Sequence, residues 1–523
     1  MTCDTTIISA HLRCRLVARV VVIGAGVGGM AAAARLAVKG HDVTIVEQSA
    51  RAGGKLAGYS RDGFVFDTGP SLLTLPAVYR DLFLKTGSAL EENVDLQLLD
   101  IGFGYHFADG AAVTMPGVDS SRCADALGDQ LGGHAATEWR ELIARARRMW
   151  DVTRRPFLES PLEGTRTLAQ MAWRLGDVRT VAPWKSLRGL GRDYLSDPRL
   201  VTLLDRYATY AGSDPRRAPA ALATIPYVEQ TFGTWHLGGG LFTLADALHR
   251  RCVERGVDAR LECDVTRVVV DAGRVTGVEL VDGDRLAADI VVSDSDASRL
   301  YGDLVSDPAA RKARRALKRA TPSLSGFVML LAVRGRTPGI RHHNVWFPSD
   351  YDAEFDSIFG LTAGPVDDPT IYACVPDDPL MRPDSDHESW FILVNAPRHA
   401  ASSTGASTGA RGATGVVDWS APGVGAAYGT HVLDVLARRG VDLRERILWS
   451  EIRTPADLER ETRSPGGAIY GTSSNGARAA FLRPANQSPI AGLYLVGGSA
   501  HPGGGLPLVG LSADIVATLI GRA

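Results

Sequence analysis

A strand that ends on a glycine loop and resumes as a helix constrains this chain more than any other feature. Val20-Val21-Val22-Ile23 is a continuous β-branched run, and Gly24-Ala25-Gly26-Val27-Gly28-Gly29 comes directly after it. Gly24, Gly26 and Gly29 fit the spacing GxGxxG. The first permits a tight turn, the second lets backbone approach a pyrophosphate, and the third lets helix and strand pack closely. Gly28–Lys39 then reads as a helix whose N-terminal amides and positive dipole end face the phosphates. A second strand, Asp42–Glu47, ends on an acid 23 residues after Gly24, placed to accept hydrogen bonds from ribose hydroxyls. The set predicts a site for an ADP-containing cofactor and does not separate NAD from FAD.

The residues beyond the acid favour FAD. Arg51-Ala52-Gly53-Gly54-Lys55 and then Phe66-Asp67-Thr68-Gly69-Pro70-Ser71 supply a second glycine pair, useful where a long cofactor continues towards its ring. A polar turn is the plain alternative. Gly423-Val424-Gly425 with Gly429 imitates a second dinucleotide motif, but it comes after a low-complexity stretch with no acid at the expected distance, and reads as a loop.

With 523 residues the chain exceeds one ordinary core, so two domains are expected. Residues 19–75, 234–297 and 456–523 read as one nucleotide-binding domain in three pieces. Within them lie a helix at Leu241–Arg255, strand-like Ala259–Val270, strands at Val275–Val281, Ile290–Ser293 and Leu493–Val496, and a closing helix from about Val509. Residues 76–233 and 298–455 form a substrate domain, and 1–18 an N-terminal extension. Residues 399–422, rich in Ser, Thr, Gly and Ala, read as a flexible surface loop. A balance of 57 basic against 59 acidic residues argues against nucleic acid as a partner. Six scattered cysteines without CxxC or metal-ligand spacing read as free thiols of a reducing compartment. The apolar stretch from Val20 to Val38 is broken by glycines and Arg35, which suits a buried strand and helix better than a membrane span. The expected location is cytoplasmic.

The run from Glu47 through Arg51, Gly53, Gly54 and Lys55, continued by FDTGPS, resembles the phytoene desaturase branch of the flavoproteins that include amine oxidases and protoporphyrinogen oxidase. Leu493-Tyr494-Leu495-Val496-Gly497-Gly498-Ser499-Ala500-His501-Pro502, continuing to Pro507, is similar to the segment that closes bacterial carotenoid desaturases. Arg206-Tyr207-Ala208-Thr209-Tyr210-Ala211-Gly212-Ser213 and Trp235-His236-Leu237-Gly238-Gly239-Gly240 look most like desaturases of hydroxylated or methoxylated carotenoids. The resemblance covers residues 19–523 and implies an α/β protein, with a Rossmann-type FAD-binding domain interleaved with an α+β substrate domain.

It implies that FAD takes hydride from a carbon chain of an apolar polyene or isoprenoid. With no second dinucleotide motif to recruit NAD as reoxidant, oxygen or a membrane quinone is the expected final acceptor. The resemblance further implies that Gly24, Gly26 and Gly29 hold the pyrophosphate and Glu47 the adenosine ribose, with Val265 by the adenine. Arg51, Gly54 and Lys55 would contact the phosphate and ribityl region, and Gly497, Gly498 and the segment from Pro507 would line the flavin.

Other readings of the scaffold, as a carotenoid oxidase, saturase, isomerase or amine oxidase, stay open. His501 is a candidate for proton removal, with a turn-fixing role as the structural alternative. Arg206, Tyr207 and Tyr210 either line a substrate tunnel or pack it, and His236 is either core or a ribityl contact. His342 and His343, read as strand residues, would point to opposite faces and serve one metal poorly. Two Arg-rich helices, Thr137–Arg155 and Arg311–Arg319, are solvated faces or supports on an anionic membrane.

Overall fold

The computed structural model describes residues 17–162, 175–360, 363–400, 416–476, 479 and 483–523. Most of the N-terminal extension, and 401–415 of the low-complexity stretch, lie outside them.

The apolar run at the start becomes the strand Arg19–Ile23, buried from Val20 onward at the centre of a five-stranded sheet. On one side it pairs in parallel with Asp42–Val46, which pairs with Asp258–Arg260. On the other it pairs with Ile290–Ser293, which pairs with Leu493–Leu495. A strand buried on both faces needs apolar side chains throughout, which is why Val20–Ile23 shows no alternation. The alanines of helix Val27–Val38 let it press against helices Thr243–Glu254 and Leu506–Ile520, forming one core. An antiparallel sheet of Val265–Asp271, Arg274–Leu280 and Arg285–Ala287 packs with the opposite face.

A second sheet has seven strands, in the order Ile447–Arg453, Ser325–Arg334, His387–Ala396, Ile371–Cys374, His343–Trp346, Ile101–His106 and Ala112–Pro116. Its pairs are antiparallel except His343–Trp346 with Ile101–His106. Helices from the 120–232 region cover one part of it. The fold class read from the sequence is the one observed.

Several local expectations are corrected. Ala259–Val270 is two strands in different sheets, separated by a turn in which Glu262 has φ 54°. The closing helix begins at Leu506, because Pro507 fits the first helical turn, where an amide hydrogen is not needed. Gly423 is not in a loop: at φ 80° it precedes helix Val424–Arg438. That helix buries Tyr428, Val432, Val435 and Leu436, a helical stripe, against the seven-stranded sheet. Beyond the undescribed part of the low-complexity stretch, Val416–Val417 pairs with Arg398–His399 and Trp419 is buried.

The helix Ala135–Thr153 turns Trp139, Leu142, Ile143, Met149 and Trp150 inward, so its apolar face is already taken by the core. Helix Arg311–Arg319 leaves Arg311, Lys312, Arg315, Lys318 and Arg319 exposed. Among the described residues no helix is long and apolar enough to cross a membrane.

Candidate functional site

The two sheets flank a cavity of ≈ 450 Å³. One end lies at the C-terminal edge of the parallel strands, where open α/β sheets bind ligands. The glycine turn is built there by sterics. Gly24 has φ 97°, which other residues resist, and its amide donates to the Val46 carbonyl at 2.8 Å. A Cβ on Gly29 would overlap the Gly24 carbonyl oxygen. Gly26 pairs with Gly53, so the second glycine pair is placed directly against the first.

Gly24, Gly26, Glu47, Gly54, Lys55, Val265, Gly498 and Pro507 all line the cavity. Gly29 supports the turn from behind, and Gly497 is packed so closely on Gly28 that a Cβ there would lie 2.9 Å from the Gly497 Cα. Glu47 is buried and accepts from the Ala25 amide at 2.7 Å and from the Ser49 amide and hydroxyl at 2.9 Å each. These bonds fix its carboxylate at the cavity wall. Lys55 reaches across to the Ala468 and Ile469 carbonyls at 3.0 and 2.9 Å, and burial lowers its pKa against the pull of Asp296 and Asp294. The residues present fit FAD: a glycine turn at a helix N-terminus, an acid at the end of the next strand, and a glycine-lined wall continuing to Gly498 and Pro507.

Two of the residues singled out in the sequence do not line the cavity. Arg51 is exposed, donates to the Gly58 carbonyl at 2.7 Å, and stands outside the cavity wall. His501 is fully buried behind the wall, with Nε2 3.0 Å from the Ser160 carbonyl and its ring edge-on to Phe157. Burial pulls its pKa down to about 4. Its ring ties the closing turn to Ser160, on the far side of the wall from the cavity. His236 is likewise a core residue, 2.9 Å from Asp378. His342 and His343 do not diverge: His342 precedes the strand, so alternation does not govern it, and their rings are 4.6 Å apart. Their ligand atoms and that of Cys374 all lie within 4.8 Å of one another.

Sequence reasoning missed several residues. Asp294, one residue past the strand Ile290–Ser293, turns its carboxylate into the glycine turn, beside Gly26, Gly28 and Gly497. Burial raises its pKa to about 7, with Glu47 adding to that, and the Gly29 amide and Lys55 opposing it. Its position at the end of a parallel strand was the available signal. Asp67 of FDTGPS accepts from the Leu241 and Phe242 amides at 2.9 Å each, tying that motif to the helix Thr243–Glu254. Buried Arg483 donates to the Tyr470, Gly498 and Thr472 carbonyls at 3.0, 2.6 and 2.8 Å, holding the closing segment; nothing in its sequence context marks it.

The other end of the cavity is walled by the seven-stranded sheet, with Val328, Phe391 and Leu393 at its surface. Arg206 and Tyr210 line it, whereas Tyr207 packs behind. Tyr207 and Tyr210 donate to Glu229 at 2.6 and 3.2 Å, and Tyr372 joins Ser71 and His343 at 2.7 and 2.8 Å. Chemically, the cavity offers a nucleotide site opening into an aromatic and aliphatic chamber whose polar side chains include Arg206, Tyr210, Tyr372 and Asn395.

Residues 27–387 match the family described as flavin containing amine oxidoreductase. The 4,4'-diapolycopene oxygenase of Methylomonas sp is 33% identical, over 95% of this chain and 97% of its own length. The hydroxyneurosporene desaturase of Rubrivivax gelatinosus is 33% identical, over 95% and 92%. Among solved structures, the cyclohexylamine oxidase of Brevibacterium oxydans superposes with a TM-score of 0.60 at 16% identity, over 97% of this chain and 100% of that one.

Proposed function

This chain belongs to the family of flavin-containing amine oxidoreductases and is an FAD-dependent oxidoreductase, and from that premise we propose that it desaturates a carotenoid or related isoprenoid. The observation that carries the reading is one cavity that joins the glycine turn to an apolar sheet face. When bound, FAD supplies the hydride acceptor for a C–H bond beside a polyene.

The chain's own residues position and exclude. In this reading Gly24, Gly26, Gly29 and Glu47 hold the ADP half, with Val265 at the adenine. Gly54, Lys55, Gly498 and Pro507 bound the flavin half. Residues 19–75, 234–297 and 456–523 carry the cofactor, while 76–233 and 298–455 enclose the substrate. Val328, Phe391 and Leu393 keep water from the polyene, so a carbon–carbon bond is presented in a dry site. The proton leaves to a weak base or water. Oxygen or a quinone takes the electrons, and the protein works in the cytoplasm against the inner membrane face, where its substrate dissolves.

Anaerobic mixing with phytoene or a hydroxylated carotene tests this. The flavin should bleach, and the product should absorb further to the red and weigh two hydrogens less. An added oxygen atom in the product would instead establish the oxygenase chemistry that one relative's name carries. An unchanged flavin with either polyene would end the reading.

A further inference from the structure

Arg206 is a permanent cation that no carboxylate pairs with directly, although buried Glu229 attracts it through the Tyr210 hydroxyl they share. It is 5% exposed, and its Cζ lies 4.9 Å from the ring centroids of Phe103 and Tyr210 and 5.6 Å from that of Tyr105. Among the described residues no carboxylate comes within salt-bridge distance of it. Glu229 faces the same cluster, but its oxygens are taken by the hydroxyls of Tyr207 and Tyr210. The guanidinium spends one nitrogen, Nη1, on Tyr210 Oη at 2.7 Å and on Tyr105 Oη at 3.5 Å. Nε and Nη2 have no protein partner among the described residues, yet neither is sealed off from open space. Since Arg206 lines the cavity, these donors are available to whatever fills its sheet end.

A guanidinium cannot discard its charge, and a buried donor left unpaired is costly. An aromatic surround compensates part of the charge but none of the directed N–H groups. A pure hydrocarbon would leave those groups unpaired, whereas a substrate oxygen would accept from them. Resting on the polyene reading above, we propose that Arg206 anchors an oxygen-bearing end of the substrate, a hydroxyl, ether or carbonyl group that accepts its free donors. The aromatic box then sets which end of the chain enters first, and so which carbon–carbon bond comes to lie at the nucleotide side.

The test is a binding titration of the FAD-loaded protein with two polyenes of equal length, one ending in hydroxyl and one in hydrocarbon. Wild type should prefer the hydroxylated one by about tenfold or more, the scale of a charge-assisted hydrogen bond. Arg206→Met should lower affinity for the hydroxylated polyene about tenfold more than for the hydrocarbon, and Arg206→Lys, which keeps charge with a shorter reach, should fall between. Flavin content reports whether each variant has folded. Equal affinities in wild type would overturn the anchor while leaving desaturation standing, as would equal losses on both polyenes in Arg206→Met. Failure of both polyenes to bind flavin-loaded wild type would overturn the substrate reading and the anchor with it.

Discussion

At the nucleotide end of the cavity the working parts are backbone: a positive-φ turn at Gly24, a glycine pressed on a carbonyl at Gly29, and amides at a helix start. At the sheet end they are side chains gathered from far apart: Arg206 and Tyr372 line the chamber, and Tyr105 and Glu229 pack behind them from separate elements. At the first end an added atom meets backbone, as a Cβ on Gly29 would meet the Gly24 carbonyl. At the second end, by the reading proposed above, side chains choose the substrate, and one side chain can be exchanged for another. A fold can therefore keep its cofactor while its substrates diversify, and the two ends should fail separately when perturbed.

The largest expected effect is at the backbone end. Gly29→Val places side-chain atoms on the Gly24 carbonyl, and FAD affinity should fall on the order of 100-fold. Flavin-to-protein absorbance ratios across added FAD would measure it, and a normal ratio would contradict the steric account. Next, Glu229→Ala strands the buried hydroxyls of Tyr207 and Tyr210, at a cost of about 3 kcal/mol in unfolding free energy. Denaturant unfolding should show that loss with flavin content retained; joint loss of flavin would mean that the two ends are not separable.

Third, Asp294 keeps its proton to about pH 7 in the fold but only to about 4 when unfolded. The stability this gives is full below about pH 4 and is lost as pH rises through about 7. Asp294→Asn has no such proton to lose. Relative to wild type it should therefore gain roughly 2 kcal/mol between pH 5 and 7.5 and nothing further above that window. Parallel pH profiles of the two apoproteins' melting temperatures would contradict the burial of the carboxylate. The smallest effect concerns the outside. Reversing Arg315 and Lys318 to glutamate on the exposed basic helix should reduce sedimentation with anionic liposomes a few-fold. Reversal at Arg145 and Arg148 should matter less, because that helix has spent its tryptophans on the core.

The same division explains what could be read in advance. Glycine spacing is local, so the turn, its helix and Glu47 were legible from neighbouring residues, and so was the α/β class. His501 sat in the right motif yet faces Ser160, because a motif fixes backbone path and not which side of the wall a ring occupies. Arg206 and Tyr210 were noticed, but whether they line or pack depends on contacts with Tyr105, over 100 residues earlier. Glu229 and Arg483 carry no local mark at all. The paired histidines misled because the strand begins one residue later than an alternating pattern assumes.

The order of strands in the parallel sheet has a consequence for how the protein is made. Its outermost member, Leu493–Leu495, leaves the ribosome last, and the closing segment that Arg483 holds comes after it. At the usual pace of synthesis, roughly half a minute to a minute and a half separates the birth of the first strand from that of this last one. Through that interval the nascent chain carries a vitamin pocket without its last wall, which is complete only once Leu493–Leu495 and the segment after it have been made.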